Sequence, residues 1–177
     1  MIRDILQREH PTLRGTAKEV PLSDIGTDKI NSIIADMVVT MDKQKDGVAI
    51  AAPQIDIPLR IFVVSGDLLK QADKEYKGPG GSLVFINPTL LKLSREKREL
   101  EEGCLSVRWL YGKVKRSTKA TIRAYNEKGE KIERGASGLL AQIFQHETDH
   151  LNGTLFIDKA DQIWEMSEEE IKDLQNK

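Results

Sequence analysis

The chain has one cysteine among 177 residues, so no disulfide can form within it and the thiol is left free for metal ligation or reaction. That usage fits a reducing compartment, and the cytoplasm is the expected location. Net charge is nearly absent. With 27 basic residues against 28 acidic ones the balance is −1, which offers no footprint for nucleic acid and no acidic tail. A run of about 18 apolar residues, long enough to span a bilayer, is missing, as is the apolar stretch of a secretory signal near the start. No internal repeat or low-complexity segment interrupts the chain. What these absences leave is one soluble domain over residues 1–177, able to bury roughly 70% of its unfolded surface, with a flexible tail from about residue 165.

Periodicity divides this domain into elements. Ile30, Ile33, Ile34, Met37, Val38 and Met41 follow the 3, 4 spacing of an amphipathic helix that starts at Thr27 or Asp28. Asp46-Gly47 ends it, and residues 48–52 form a short apolar strand or extended loop closed by Pro53. Residues 59–64 and 82–87 are rich in Val, Ile and Phe and read as buried strands, with an exposed excursion over 65–81 between them. Residues 89–93 and 96–102 read as further strands, and 120–125 with 130–134 as a hairpin about Asn126-Glu-Lys-Gly129. A helix then starts from the signal at 135–137. Leu139, Leu140, Ile143, Phe144 and Leu151 cover most of its surface, so it is expected to be buried on several sides, and Asn152-Gly153 stops it. Residues 154–158 can return as a strand, and Ser167-Glu-Glu-Glu170 opens a short helix with a capping box. The sum is an α+β fold, mainly antiparallel sheets packed around a central helix.

That central helix carries His146-Glu-Thr-Asp-His150. Residues four apart lie about 40° apart around a helix axis and one turn along it, so both imidazoles address one spot and one divalent metal can bridge them. Glu147 stands about 100° round from His146, near enough to serve a water as base but poorly placed to be a ligand. A histidine on an apolar helix is more often a hydrogen-bonded core residue. Here two imidazoles and a carboxylate among Leu139, Ile143 and Phe144 would be costly to bury unless a metal satisfied them. Cys104 follows Gly103, where backbone and metal can approach closely; two imidazoles and a thiolate leave a fourth position open, as in a catalytic centre. His10 has no such company and reads as a surface residue.

Three motifs now carry a resemblance: Gly47-Val-Ala-Ile-Ala-Ala-Pro-Gln54, Glu102-Gly-Cys-Leu-Ser106 and Gln145-His-Glu-Thr-Asp-His-Leu-Asn-Gly153. In this order they resemble the bacterial-type peptide deformylases, from Leu13-Arg14 to about Asp158. The resemblance implies that Cys104, His146 and His150 hold the metal, that Glu147 is the general acid and base, and that Gln54 and the Leu105 N–H donate to the formyl oxygen as it gains charge. It implies further that Gly47, Val48, Ala49, Gly103 and Ile143 contact substrate. The implied cofactor is one divalent ion, iron(II) as the native one, with zinc, nickel or cobalt able to replace it. The implied partners are N-formyl-methionyl nascent peptides, with the ribosome near its exit tunnel as the place of work. Two stretches depart from the family: Ala49 and Ile50 stand where Gly-Leu is usual, and Arg108 and Trp109 occupy the stretch that often holds a proline. A negative φ at Ala49 would accommodate the extra methyl.

Two rival functions use the same residues. A zinc endopeptidase built on the His-Glu-x-x-His helix usually draws a third His or Glu from further along, whereas the remaining histidine is His10 and Cys104 lies upstream. A noncatalytic metal-binding module would have no use for Glu147 beside the metal.

Overall fold

All of residues 61–65 are buried, which requires that both faces of their sheet be covered. A computed structural model describing residues 1–72 and 81–176 shows what covers them. In chain order the elements are α1 (Pro11–Arg14), α2 (Asp28–Asp42), β1 (Ala49–Ala51), β2 (Ile61–Ser65), α3 (Gly66–Ala72), β3 (Ser82–Leu93), β4 (Lys97–Gly103), β5 (Leu110–Ser117), β6 (Lys119–Tyr125), β7 (Lys131–Ser137), α4 (Gly138–Leu151), β8 (Ala160–Glu165) and α5 (Glu168–Asn176). One sheet has the order β1-β2-β3-β6-β7 and a second β4-β5-β8, with every named strand pair antiparallel.

Strand alternation explains the sandwich around the larger sheet. Phe62 and Val64 of β2, with Leu83 and Phe85 of β3, join the cluster that includes Leu140, Ile143 and Phe144 of α4. The intervening Ile61, Val63, Val84 and Ile86 join Ile30, Ile34, Met37 and Met41 of α2 on the other face. Phe62 stacks on Phe85 at 4.7 Å between ring centroids, and Phe85 meets Phe144 edge-on at 5.2 Å. Each buried aromatic contributes roughly 1.5–3 kcal/mol by burial, and such ring pairs add about 0.5–1.5 kcal/mol. A smaller cluster of Val107, Val114, Leu155 and Phe156 lies with the second sheet. The two sheets meet at α4, as the expected architecture requires.

Several boundaries differ from the sequence reading, each for a local reason. β3 does not break at Pro88. It continues through a bulge between Ile86 and Thr89, where Asn87 takes φ 51° and its side-chain amide exchanges two 2.8 Å hydrogen bonds with the backbone of Val20. β5 was not expected, because Lys113, Lys115 and Arg116 mask the alternation of a strand whose buried side is Gly112, Val114 and Arg116. Residues 135–137 extend β7, and α4 begins at Gly138 with φ 57°. Phe156–Asp158 forms a single 3-10 turn, and the expected strand appears after it as β8. The excursion expected over 65–81 holds α3; the rest of it, 73–80, lies outside the described residues. His10 is not a free surface residue, since its Nδ1 accepts from Thr12 N and caps α1.

Candidate metal centre and active site

α4 ends where Gly153 takes φ 74°, a position at which a Cβ would meet the Arg14 carbonyl oxygen at 2.5 Å. Within this buried helix His146 and His150 share one face, their ring centroids 5.0 Å apart. Cys104 arrives from the turn after β4. A Cβ on Gly103 would stand 2.6 Å from the Tyr111 ring, so glycine is what lets the turn pass under that ring. The Cys104 Sγ lies 3.1 Å from His150 Nε2, and one ligand atom from each of Cys104, His146 and His150 falls within 4.8 Å of the others.

This donor set fits a divalent transition metal on two grounds. One thiolate and two imidazoles are the soft and intermediate donors that zinc, iron, cobalt and nickel accept. The buried Glu147 Oε2 and His150 Nδ1 have no protein partner among the described residues, a costly state for an interior not built around a bound group. His146, by contrast, is fixed: its Nδ1 is 2.9 Å from Glu102 Oε2, which leaves Nε2 to face the cluster. Glu102 is clamped by Arg116, with Nε at 2.7 Å and Nη2 at 2.9 Å, and Arg116 Nη1 reaches Asp149 Oδ2 at 2.6 Å. Lys159 extends the network to the surface, donating to Asp149 Oδ1 at 2.6 Å.

Charge follows from this arrangement. Burial opposes ionisation of Glu102, but the hydrogen bonds from Arg116 and His146 outweigh it and bring its pKa down to about 2. Burial pushes Glu147 the other way, up to about 7. Desolvation disfavours the cation of His146 too, yet its bonds to Cys104 and Glu102 hold it well above the ordinary imidazole range, and burial together with that neighbouring charge drives His150 well below. The network thus favours positive charge at His146, where a metal cation can take the place of a proton, and burial keeps Glu147 a weaker acid than Glu102.

A recess of about 250 Å³ opens onto these groups, and Val48, Ala49, Gln54, Gly103, Cys104, Leu105, Ile143, His146 and Glu147 are among the residues that line it. His150 lies deeper, 1% exposed. Gly47 is outside the lining; a Cβ there would meet the Met41 carbonyl at 2.5 Å, so it serves the turn out of α2. Ala49 sits in β1 and keeps φ negative, as the added methyl requires. Gln54 is held from both ends: its Oε1 accepts from Ala51 N at 2.8 Å, and its Nε2 donates to Ser106 Oγ at 3.1 Å and to Cys104 Sγ at 3.6 Å. Sequence reasoning missed Asp46, Tyr111, Leu139 and Gln142 in the lining and the Glu102–Arg116 support beneath it. A signal for Glu102 existed, because period 2 from Leu100 carries it to the inner face of β4. Arg116 gave none.

Known proteins resemble this chain in sequence and in fold. Residues 2–165 match the family model described as polypeptide deformylase. The chain is 41% identical over 159 residues to a peptide deformylase of Fusobacterium nucleatum, covering 90% of this chain and 84% of that protein. It is 39% identical over 163 residues to the chloroplastic peptide deformylase 1A of Solanum lycopersicum, where it covers 88% of itself but spans only 58% of the plant protein. Among solved structures, the class I type b peptide deformylase of Acinetobacter baumannii bound to Met-Ala-Ser superposes with a TM-score of 0.79 at 31% identity, over 90% of this chain and 99% of that one. The Thermotoga maritima peptide deformylase gives 0.78 at 34% identity, over 92% and 99%. With a matched fold, a family model spanning nearly its whole length and relatives near 40% identity, the chain belongs to the polypeptide deformylase family.

Proposed function

We propose that this chain, acting as one catalytic domain over residues 1–177, hydrolyses the N-formyl group from the terminal methionine of nascent polypeptides. What supports the reading is the convergence of Cys104 Sγ and the two imidazoles within 4.8 Å at the floor of a recess that also holds Glu147 and the Gln54 amide. Cys104, His146 and His150 would hold one divalent cation, which supplies Lewis acidity and lowers the pKa of water when bound. Glu147 takes the proton from the attacking water; burial, which raises its pKa to about 7, makes the carboxylate a better base than an exposed one. Water oxygen bonds to the formyl carbon, the C–N bond breaks, and Glu147 returns the proton to the leaving amine. Formate and a free N-terminal amine are the products.

Gln54 Nε2, exchanging its long 3.6 Å contact with Cys104 Sγ for substrate, and the Leu105 N–H donate to the formyl oxygen as it gains negative charge; losing one such donor typically lowers the rate by on the order of 10²-fold. Val48 and Ile143 offer apolar surface for the methionine thioether, while Ala49 and Gly103 flank the substrate backbone. The A. baumannii relative is described bound to Met-Ala-Ser, a peptide with methionine first. Iron(II) is the proposed native ion, replaceable by zinc, nickel or cobalt, and the proposed setting is cytoplasmic, near the ribosomal exit tunnel. No helix of the described residues is long and apolar enough to cross a membrane.

Formate release from formyl-Met-Ala-Ser, measured for wild type and Glu147→Ala beside metal content per chain, tests the proposal. Release by wild type and its loss in a variant that still holds one metal are expected. Equal release by both proteins, or none from metal-loaded wild type, rejects it. An endopeptidase would cleave internal bonds instead, and a noncatalytic module neither.

A further inference from the structure

At the mouth of the recess lies an ion pair that the mechanism leaves unused. Arg108 donates through Nη2 to Asp46 Oδ1 at 3.0 Å and to Gln44 Oε1 at 3.2 Å, and through Nη1 to Asp46 Oδ2. Its guanidinium lies 4.5 Å over the Trp109 ring. The two charged side chains are 20% and 23% exposed, partly withdrawn from water, so the bidentate pair is screened less than a surface pair. Asp46 belongs to the rim between α2 and β1, and Arg108 to the turn that also carries Cys104 and Leu105. The pair therefore ties the segment after α2 to the turn after β4 at one side of the recess.

Position gives the two charges different roles. Asp46 lines the recess and Arg108 does not, so the cation meets the carboxylate from behind the wall. Of the other acids in the lining, Glu102 is paired with Arg116, Glu147 lies inside with the imidazoles, and Glu101 faces Lys113 in the register between β4 and β5. Tyr111, also in the lining, lies within reach of both members: burial is the largest influence raising its pKa, Asp46 raises it further and Arg108 lowers it. Negative charge at the mouth is thus matched by positive charge just outside it. Substrates that share a first residue and differ in all that follow need such a mouth.

We propose that the Asp46–Arg108 pair is a specificity element, which holds these two segments together and cancels charge at the entrance so that formyl-methionyl peptides are accepted whatever the charge of the residues after the first. This inference rests on the peptide substrate proposed above. Removing the cation exposes a carboxylate to the substrate; removing the carboxylate exposes a cation.

The test compares kcat/KM for formyl-Met-Ala-Lys and formyl-Met-Ala-Glu within each protein at low ionic strength, so that any general loss of activity cancels in the ratio. Wild type is expected to show a Lys/Glu ratio within about twofold of one, Arg108→Met a ratio raised about fivefold, and Asp46→Asn one lowered by a similar factor, each shrinking with added salt. The double variant returns to the wild-type ratio. Calorimetric binding of the same peptides to each variant combined with Glu147→Ala gives the same ordering without turnover. Unchanged ratios in both single variants, by turnover and by binding, overturn the proposal, as does a double variant that keeps the bias of either single one. Ratios that shift in binding while wild type releases no formate would count against the hydrolytic reading alone.

Discussion

Glu102 determines which nitrogen of His146 faces Cys104 and His150, and Arg116 determines where Glu102 can stand. A carboxylate behind a ligating imidazole orients the ring and raises its basicity, and losing such a partner typically costs about 10–100-fold in metal affinity. Glu102→Leu is therefore expected to weaken binding by about that factor in competition with a chromogenic chelator, while Glu102→Gln, which can still accept a hydrogen bond, loses less. Equal affinity in Glu102→Leu and wild type would remove the orienting role. At this scale the sequence was most readable where chemistry repeats at helical spacing, as in His146 and His150, and where a glycine precedes a thiol. It was least readable at Arg116, whose burial depends on partners 14 and 33 positions away.

Helices announced themselves through apolar spacing; α2 and α4 lie close to where periodicity put them. β5 did not, because a strand that carries a buried arginine and three other basic or polar side chains presents no clean alternation. Element boundaries beside α4 also shifted, since Gly138 rather than the residues before it begins the helix. Phe144 is what joins α4 to the larger sheet, packing against Phe62 and Phe85 with no exposure to solvent. Phe144→Ala is expected to lower unfolding free energy by about 3–5 kcal/mol in urea titrations. A loss below about 1 kcal/mol would mean that the helix is held by something other than this ring cluster.

Across the whole molecule, the α+β class and its central helix were legible, whereas the division of strands into two sheets was not, because strand pairing is set by tertiary contacts that no local pattern encodes. The Glu102–Arg116 pair gives the fold a dependence on acid. A carboxylate with pKa about 2 when folded, against 4.5 ordinarily, binds its proton less readily in the native state. Its stabilisation is present above about pH 4.5 and is lost as pH falls toward 2. Arg116→Met leaves Glu102 buried without its main partner, while Asp149 keeps Lys159, costing about 3–5 kcal/mol near neutrality. Far-UV circular dichroism across an acid titration should place its unfolding midpoint at higher pH than that of wild type. An identical midpoint would detach the pair from acid stability.

The proposed metal acts at the same scale, for Cys104 belongs to the turn after β4 of the smaller sheet and both histidines to the helix packed on the larger one. A cation bound to all three links the two halves, and at about 100 times its Kd it adds about 2.7 kcal/mol of stability. Thermal unfolding with and without a chelator checks this; no shift in Tm on stripping and reloading would argue against a shared site.

Cys104 is half-buried and has no second thiol anywhere in the chain. If peroxide converts it to a sulfenic acid, nothing within the molecule can trap that state as a disulfide, and further oxidation to the sulfinic form is irreversible. Repair has to come from an outside reductant such as a small thiol, arriving before the second oxidant does.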